Sequence, residues 1–328
     1  MTYEQAKQEF TKLFKNQLTK NDAKELLVSL YQRGETSQEI AAAASVMREH
    51  SVKVNLPSKV QEKLIDIVGT GGDKSGSFNI SSTVSLILSS LGLAVAKHGN
   101  RAITSSSGAA DMLEQLGINL NLPVKQQAIM LEEVGFTFMF AQNHHPAMKH
   151  IMPIRKSLSH RTIFNILGPL TNPAGAKKYL LGVFSKDFLN SIADSLKILE
   201  AKSAIIVSSR DGMDEISISD ITYAVNLHDN EIKEYIIDPQ NEGFKLSPSQ
   251  AIEGGDAKVN AQITLDILKG EIGAKRDIVL LNSAAALSTD GVARDLKDGI
   301  EMAKEAIDSK KAITHLKKIV DISNKLAK

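Results

Sequence analysis

Asp66-Ile67-Val68-Gly69-Thr70-Gly71-Gly72-Asp73, continuing as Lys74-Ser75-Gly76-Ser77-Phe78-Asn79-Ile80-Ser81-Ser82, is the stretch on which the reading of this chain turns. A short β-branched run over 64–68 meets three glycines in four positions, then hydroxyl and amide residues that lead into the apolar run 84–93. That is the pattern of strand, loop and helix. Glycines let a backbone approach a ligand closely and take positive φ. Asn79, Ser81 and Ser82 fall where the helix begins, so their side chains and the free N–H groups can meet an anion at the positive end of the helix dipole. The same residues also suit a tight turn with an N-cap. The spacing is neither the Walker pattern, which needs Gly-Lys-Ser/Thr at the helix start, nor the dinucleotide fingerprint, whose third glycine lies inside the helix start.

The surrounding composition bounds the rest. At 328 residues with 42% hydrophobic content, the chain can bury one large core, or a large core with a small satellite domain. A net charge of +1, with Lys and Arg spread along the length, leaves no basic face that would make nucleic acid a partner. Without cysteine there are no disulfides or thiolate metal sites, and a reducing cytoplasm is the expected location. The apolar tract 84–96 is interrupted by Ser85, Ser89, Ser90 and Gly92 and is too short and polar to span a bilayer. With a polar N-terminus, neither secretion nor membrane insertion is expected.

Residues 1 to about 60 carry helical periodicity: Phe10, Leu13, Phe14 and Leu18 form one stripe, Leu26, Leu27, Leu30 and Tyr31 another. Thr19 with Asp22 and Thr36 with Glu39 have capping-box-like spacing, and Gly34 is a stop between them. A third helix begins at the alanine run 41–44. From 64 onward, β-rich runs alternate with helical stretches, as a parallel sheet with crossover helices requires. Strands are expected at 64–68, 94–97, 136–140, 180–184 and 204–208; helices at 82–91, 109–116, 125–133, 188–199, 264–268 and 277–287, with an amphipathic stretch over 301–325.

Ligands of such sheets bind beyond the carboxyl ends of the strands, and three polar segments fall there. Gly69 to Asp73 follows one strand. Lys97-His98-Gly99-Asn100-Arg101 follows another, as a solvated turn or a phosphate clamp, with the donors Thr104 to Ser107 next. Arg210-Asp211-Gly212-Met213-Asp214-Glu215 follows a third, and its acid pair is either solvated surface or a Mg²⁺ site. His144-His145 are adjacent rather than at chelating spacing, so they read as loop or cleft residues. Pro169 and Pro173 stiffen a turn around Thr171-Asn172.

Gly-Thr-Gly-Gly-Asp at 69–73, Lys-His-Gly-Asn-Arg at 97–101, Gly-Pro-Leu-Thr-Asn-Pro at 168–173 and the acid pair at 214–215 occur in order. In these motifs the chain resembles the anthranilate phosphoribosyltransferases, from about residue 60 to 220 and more weakly at both ends. The resemblance implies an α/β fold of the nucleoside phosphorylase/phosphoribosyltransferase kind. A helical domain, 1–62, joined in space by part of 150–178, would be hinged to a larger α/β domain, 63–328, with a mostly parallel sheet. It implies a homodimer through the helical part, and transfer of the phosphoribosyl group of phosphoribosyl pyrophosphate to the amine of anthranilate in tryptophan biosynthesis, with Mg²⁺. By the same resemblance, phosphoribosyl pyrophosphate falls to Gly69, Gly72, Asp73, Ser77, Asn79, Ile80, Ser81, Ser82, Lys97, His98, Gly99, Asn100, Arg101, Ala102, Ile103, Thr104, Ser105 and Ala109. Anthranilate falls to Gly69, Asn100 and Arg155, and the metal to Ser81, Asp214 and Glu215; no general base is required.

Ser77 and Ser82 stand where the family usually has threonine, and Ala109 where a phosphate-contacting serine often follows Ser-Gly. The missing hydroxyl would weaken binding several-fold, at about 0.5–1.5 kcal/mol per hydrogen bond. Two rival readings are a nucleoside phosphorylase, whose loop reads Gly-Gly-Val-Gly-Asp, and a nucleic-acid-binding paralogue, which would carry a basic groove.

Overall fold

The computed structural model describes residues 1–73, 75–101 and 107–328. Its centre is a seven-stranded sheet: β1 Leu64–Gly69, β2 Ala94–Gly99, β3 Phe136–Phe140, β4 Lys178–Gly182, β5 Ser203–Ser209, β6 Thr222–His228 and β7 Glu231–Ile237, in the order β3-β2-β1-β4-β5-β6-β7. The first five are parallel and read as near-continuous apolar runs because helices cover both faces.

Strand alternation divides the core in two. Ile65, Ile67, Val95, Leu180, Ile205 and Val207 face one layer with the helices Ile80–Ser90, Ala274–Asp290, Leu296–Asp308 and Lys311–Leu326. Leu64, Ala94, Ala96, Tyr179, Leu181, Ala204 and Ile206 face the other. There the helix Leu189–Ile198 packs with Ser37–Glu49, whose alanines 41–44 are fully buried and permit the close approach that their size implies.

Of the N-terminal helices Tyr3–Phe14, Lys20–Arg33 and Ser37–Glu49, the last two start where Thr19 and Thr36 indicate, and the alanine run 41–44, expected to open a third helix, lies inside Ser37–Glu49. Thr2, Thr19 and Thr36 each accept an N–H of the first turn, Thr36 and Glu39 form a full capping box, and Gly34 ends the second helix at φ 80. Ile151, Phe164, Leu167 and Leu170, from the excursion between β3 and β4, pack into the same apolar cluster. Thus a small helical lobe sits on a larger α/β unit with a mostly parallel sheet. Among the described residues, no helix is long and apolar enough to cross a membrane.

Several boundaries differ from expectation, each for a local reason. The helix expected at 264–268 starts at Ala257, because Asp256 accepts from Val259 N–H and caps it. The stretch 301–325 is two helices, Leu296–Asp308 and Lys311–Leu326, broken where Lys310 adopts φ 66. β4 spans Lys178–Gly182 rather than 180–184 because its ladder with β1 runs from Ile65↔Lys178 to Gly69↔Gly182. The antiparallel β6–β7 hairpin was not anticipated; Asp229 and Asn230, at φ 48 and 64, supply its turn. Glu231, Lys233 and Glu234 place charge along the edge strand.

Candidate active site at the carboxyl ends of the strands

β1 and β4 are neighbours from which the chain winds outward in opposite directions, so the crevice of this sheet opens above them. The last residues of the pair, Gly69 and Gly182, lie opposite each other. Asp214, arriving from beyond β5, lies over both. A Cβ on Gly69 would stand 2.3 Å from Asp214 Oδ2, and one on Gly182 only 1.4 Å from the Asp214 carbonyl oxygen. Gly71 N–H donates to Asp214 Oδ2 (2.6 Å), and Gly71 and Gly72 take φ 67 and 74, conformations that glycine adopts without strain. The glycine loop and the acid pair, 143 residues apart, are therefore one structure.

Beneath the loop the charges gather. Glu215 Oε1 accepts from Ser81 N–H at the start of the helix Ile80–Ser90, while its Oε2 is buried with no hydrogen-bond partner among the described residues. Lys97 points into the same layer and donates to Ile67 O (2.7 Å) and Ser81 Oγ (3.1 Å). Burial raises the Asp214 carboxyl, helped by nearby Asp73, to about 7. Burial, Asp214 and Asp73 together hold Glu215 well above the carboxylate range. Burial lowers Lys97, against the pull of Asp66, Glu215 and Asp214. Gly69, Ser81, Gly182, Asp214, Glu215 and Asn282 border a cavity of about 10 Å³, room for one water-sized particle.

Among the described residues, no group of three or more His, Cys, Asp or Glu is placed to hold a metal alone. Two carboxylates and a hydroxyl are instead the partial set that Mg²⁺ accepts when substrate oxygens and waters complete its shell. The partnerless Glu215 Oε2 fits that role.

On the opposite face of β2 the chemistry differs. His98 Nδ1 lies 3.2 Å from Gly168 O, which requires the Nδ1–H tautomer and leaves Nε2 without a partner among the described residues. His145 meets it edge-on, ring centroids 5.1 Å apart. Burial, with each ring beside another histidine, holds His98 at about 3 and His145 at about 4, so both are neutral at physiological pH. Asp66, fully buried and raised by desolvation to about 6, accepts from His98 N–H (3.3 Å) and Asn172 Nδ2 (2.7 Å). It thereby ties the Gly-Pro-Leu-Thr-Asn-Pro turn to β1 and β2.

The remaining residues singled out in the sequence scatter around this centre. Asn79 is the N-cap of Ile80–Ser90, and Ile80 and Ser82 are buried beside it. Ser77 pairs with Glu253 in an isolated bridge. Gly99 allows Phe138 to approach within 2.9 Å of where its Cβ would be, with Ala109 adjacent. Asn100 Oδ1 accepts from Arg101 N–H. The Arg101 guanidinium turns to Asp111 and Glu114 on the helix Ala109–Gln115, away from the acid cluster. Ala102, Ile103, Thr104 and Ser105 lie outside the described residues.

Arg155, in the helix Met148–Lys156, stacks over Phe164 at 5.2 Å and forms no ion pair among the described residues; burial lowers its pKa. Sequence reasoning missed Arg161, which donates to Gly72 O (2.8 Å) and lies 3.7 Å over Phe184. It also missed Gly182, Asp66, Asn260 and Asn282; the last brackets Ile216 by bonding both its N–H and its C=O.

Two family models match the chain: the glycosyl transferase family a/b domain over residues 61–313 and the glycosyl transferase family helical bundle domain over 1–51. Anthranilate phosphoribosyltransferase of Xanthobacter autotrophicus is 44% identical over 100% of this chain and 94% of its own. That of Methanobrevibacter smithii is 46% identical over 91% and 88%. The crystal structure of the Thermus thermophilus enzyme superposes with a TM-score of 0.93 at 39% identity, covering 99% of this chain and 96% of that one. The Saccharomyces cerevisiae enzyme, in complex with PRPP and Mg, superposes at 0.85 and 28% identity over 96% and 91%. With identity at this level over nearly its full length, the chain belongs to the anthranilate phosphoribosyltransferase family.

Proposed function

We propose that this protein transfers the phosphoribosyl group of phosphoribosyl pyrophosphate to the amine of anthranilate, releasing pyrophosphate, as a step of tryptophan biosynthesis. The observation that carries the reading is the junction of the glycine loop, the helix start at Ser81 and the buried acid pair at the β1–β4 switch point. In it, Asp214, Glu215 and the Ser81 hydroxyl hold Mg²⁺, and the complex of the yeast relative with PRPP and Mg supports this. The metal, when bound, neutralises charge that develops on the departing pyrophosphate.

The chain's own residues do the rest by placement. Gly69, Gly72, Asp73, Ser77 and the helix start from Asn79 to Ser82 hold the phosphates, at a glycine loop whose backbone can approach a ligand closely and at the positive end of the helix Ile80–Ser90. Lys97 balances the buried acids from below, while kinship assigns His98, Gly99, Asn100, Arg101 and Ala109 to phosphoribosyl pyrophosphate, together with residues 102–105, which lie outside the described residues. An aromatic amine is already a nucleophile, so no residue is needed as a base. Gly69, Asn100 and Arg155 receive anthranilate; the half-buried guanidinium, with no ion pair among the described residues, suits a carboxylate.

Residues 1–62 with part of 150–178 form one domain in this reading, and 63–328 the other. The packing of Met148–Lys156 against Tyr3–Phe14 and Lys20–Arg33, and of Phe164–Leu167 against Ser37–Glu49, supports that division. Dimerisation through the helical part rests on kinship, and a cytoplasmic setting on the absence of cysteine. The test is the loss of anthranilate fluorescence in the complete mixture and with phosphoribosyl pyrophosphate or Mg²⁺ left out. Phosphorolysis of a nucleoside by the same preparation, with no such loss, would favour the phosphorylase rival.

Arg155→Ala should weaken apparent anthranilate affinity by about 10- to 150-fold, the equivalent of roughly 1.5–3 kcal/mol for a charge-assisted hydrogen bond. Binding of phosphoribosyl pyrophosphate should change little. Aniline keeps the amine and lacks the carboxylate, so it should be slowed far less by the substitution. Equal slowing of anthranilate and aniline would remove Arg155 from carboxylate recognition.

A further inference from the structure

The glycine-rich loop is held from below by a segment far along the chain. Ile252 O accepts from Phe78 N–H, Gly254 N–H donates to Gly76 O, and Ser77 bridges to Glu253, so 252–254 lies along 76–78 like a short added strand. The approach is close: a Cβ on Gly254 would stand 2.7 Å from Phe78 Cα and 2.6 Å from Asn260 Oδ1. Asn260 follows on the helix Ala257–Leu268 and is almost completely buried. Its Oδ1 accepts from Gly255 N–H (2.8 Å), which fixes the amide's orientation and leaves Nδ2 to donate to Asn79 Oδ1 (2.9 Å).

One helical turn along both elements, the Thr83 and Thr264 hydroxyls bond each other at 2.8 Å. Two polar pairs in register, the part-buried Asn79–Asn260 and the buried Thr83–Thr264, thus pin the start of Ile80–Ser90 to the helix Ala257–Leu268. Such pairs within an apolar contact set register more than they add stability. Asn79 Oδ1 also accepts from Ser107 Oγ, and Asn79 Nδ2 lies 3.4 Å from Ser107 O, so the Asn260 bond helps choose which way the Asn79 amide faces.

We infer that Asn260 is a positioning residue of the transferase site: it orients the Asn79 side chain and the helix start behind it, and so governs capture of phosphoribosyl pyrophosphate without touching anthranilate. This rests on the functional reading above, in which Asn79 stands on the phosphate side. Asn260→Asp keeps the acceptor for Gly255 N–H but sets an acceptor against Asn79 Oδ1. Asn260→Ala removes both bonds.

The experiment measures KM for each substrate and kcat in the wild type, Asn260→Asp, Asn260→Ala, Asn79→Ala and the two double variants, with melting temperatures alongside. The expected result for Asn260→Asp is about a tenfold rise in KM for phosphoribosyl pyrophosphate, the loss of one hydrogen bond's discrimination, with KM for anthranilate within about twofold. In the Asn79→Ala background, neither substitution at 260 should raise that KM further, because both act through the same side chain. Additive effects in the double variants, or equal rises in both KM values, would overturn the inference and leave Asn260 as a packing residue or a source of charge. If the wild type consumes no anthranilate with phosphoribosyl pyrophosphate and Mg²⁺, the functional reading has failed instead. A wild-type enzyme that is active beside unaffected variants refutes only the role of Asn260.

Discussion

Gly182→Ala should lower kcat/KM by about 100-fold or more while the protein still folds. The new Cβ would fall 1.4 Å from the Asp214 carbonyl oxygen and 2.4 Å from its carbonyl carbon, so backbone has to move. What moves is the loop that carries Asp214 and Glu215 over the ends of β1 and β4. A displacement of about 1 Å at groups that position a reaction costs on the order of 10²-fold in rate. Gly69→Ala should be milder: the clash there is with the Asp214 side chain at 2.3 Å, which can rotate away at the loss of the bond from Gly71 N–H. Turnover of Gly182→Ala near the wild-type rate, with an unchanged melting temperature, would show that the acid loop need not lie where it does.

The second large effect is expected from Asp214→Asn combined with Glu215→Gln: turnover falls by about 100-fold or more, and stability near neutral pH rises or holds. The proposed role of the pair in holding a metal at the leaving group accounts for the first half. The second follows from linkage. The Asp214 carboxyl is raised from 3.8 to about 7 by burial and Asp73, so between those values the folded state holds a proton that the unfolded state has lost. Metal-free wild type therefore loses stability as pH rises from about 4 towards 7, whereas a pair of neutral amides does not. Melting curves across that range, without Mg²⁺, should separate the two proteins increasingly with pH. A double variant that keeps its turnover and Mg²⁺ dependence would end the metal assignment. One that is less stable than wild type at every pH would make the pair structural.

The stretch from Asp66 to Ser82 announces its strand, loop and helix because all the signals are local: β-branched residues, glycines at positive φ, an amide and hydroxyls at a helix start. The capping threonines Thr19 and Thr36 of the second and third helices and the alanine-rich packing face were legible for the same reason. What escaped notice is held by partners far apart in sequence. Asn172 meets Asp66 across 106 residues, Asn260 meets Asn79 across 181, and Asn282 brackets Ile216 across 66. A single asparagine in a helix gives no sign of such a partner.

Three misses did carry a signal. Gly182 ends the run Tyr179-Leu180-Leu181, and a glycine in a strand marks a close approach of backbone. Asp229-Asn230 between alternating runs marks the β6–β7 hairpin. Asp66 is the third: an acid inside an apolar strand needs partners, and His98 N–H and Asn172 are those partners.

The most direct single measurement is the stoichiometry of the reaction in the wild type: pyrophosphate released against anthranilate consumed, with phosphoribosyl pyrophosphate and Mg²⁺ supplied. Attack by the amine at the anomeric carbon gives one pyrophosphate for each anthranilate, and neither change occurs without Mg²⁺. Pyrophosphate release that proceeds at the same rate without anthranilate, or anthranilate loss with no pyrophosphate formed, would contradict transfer at this site.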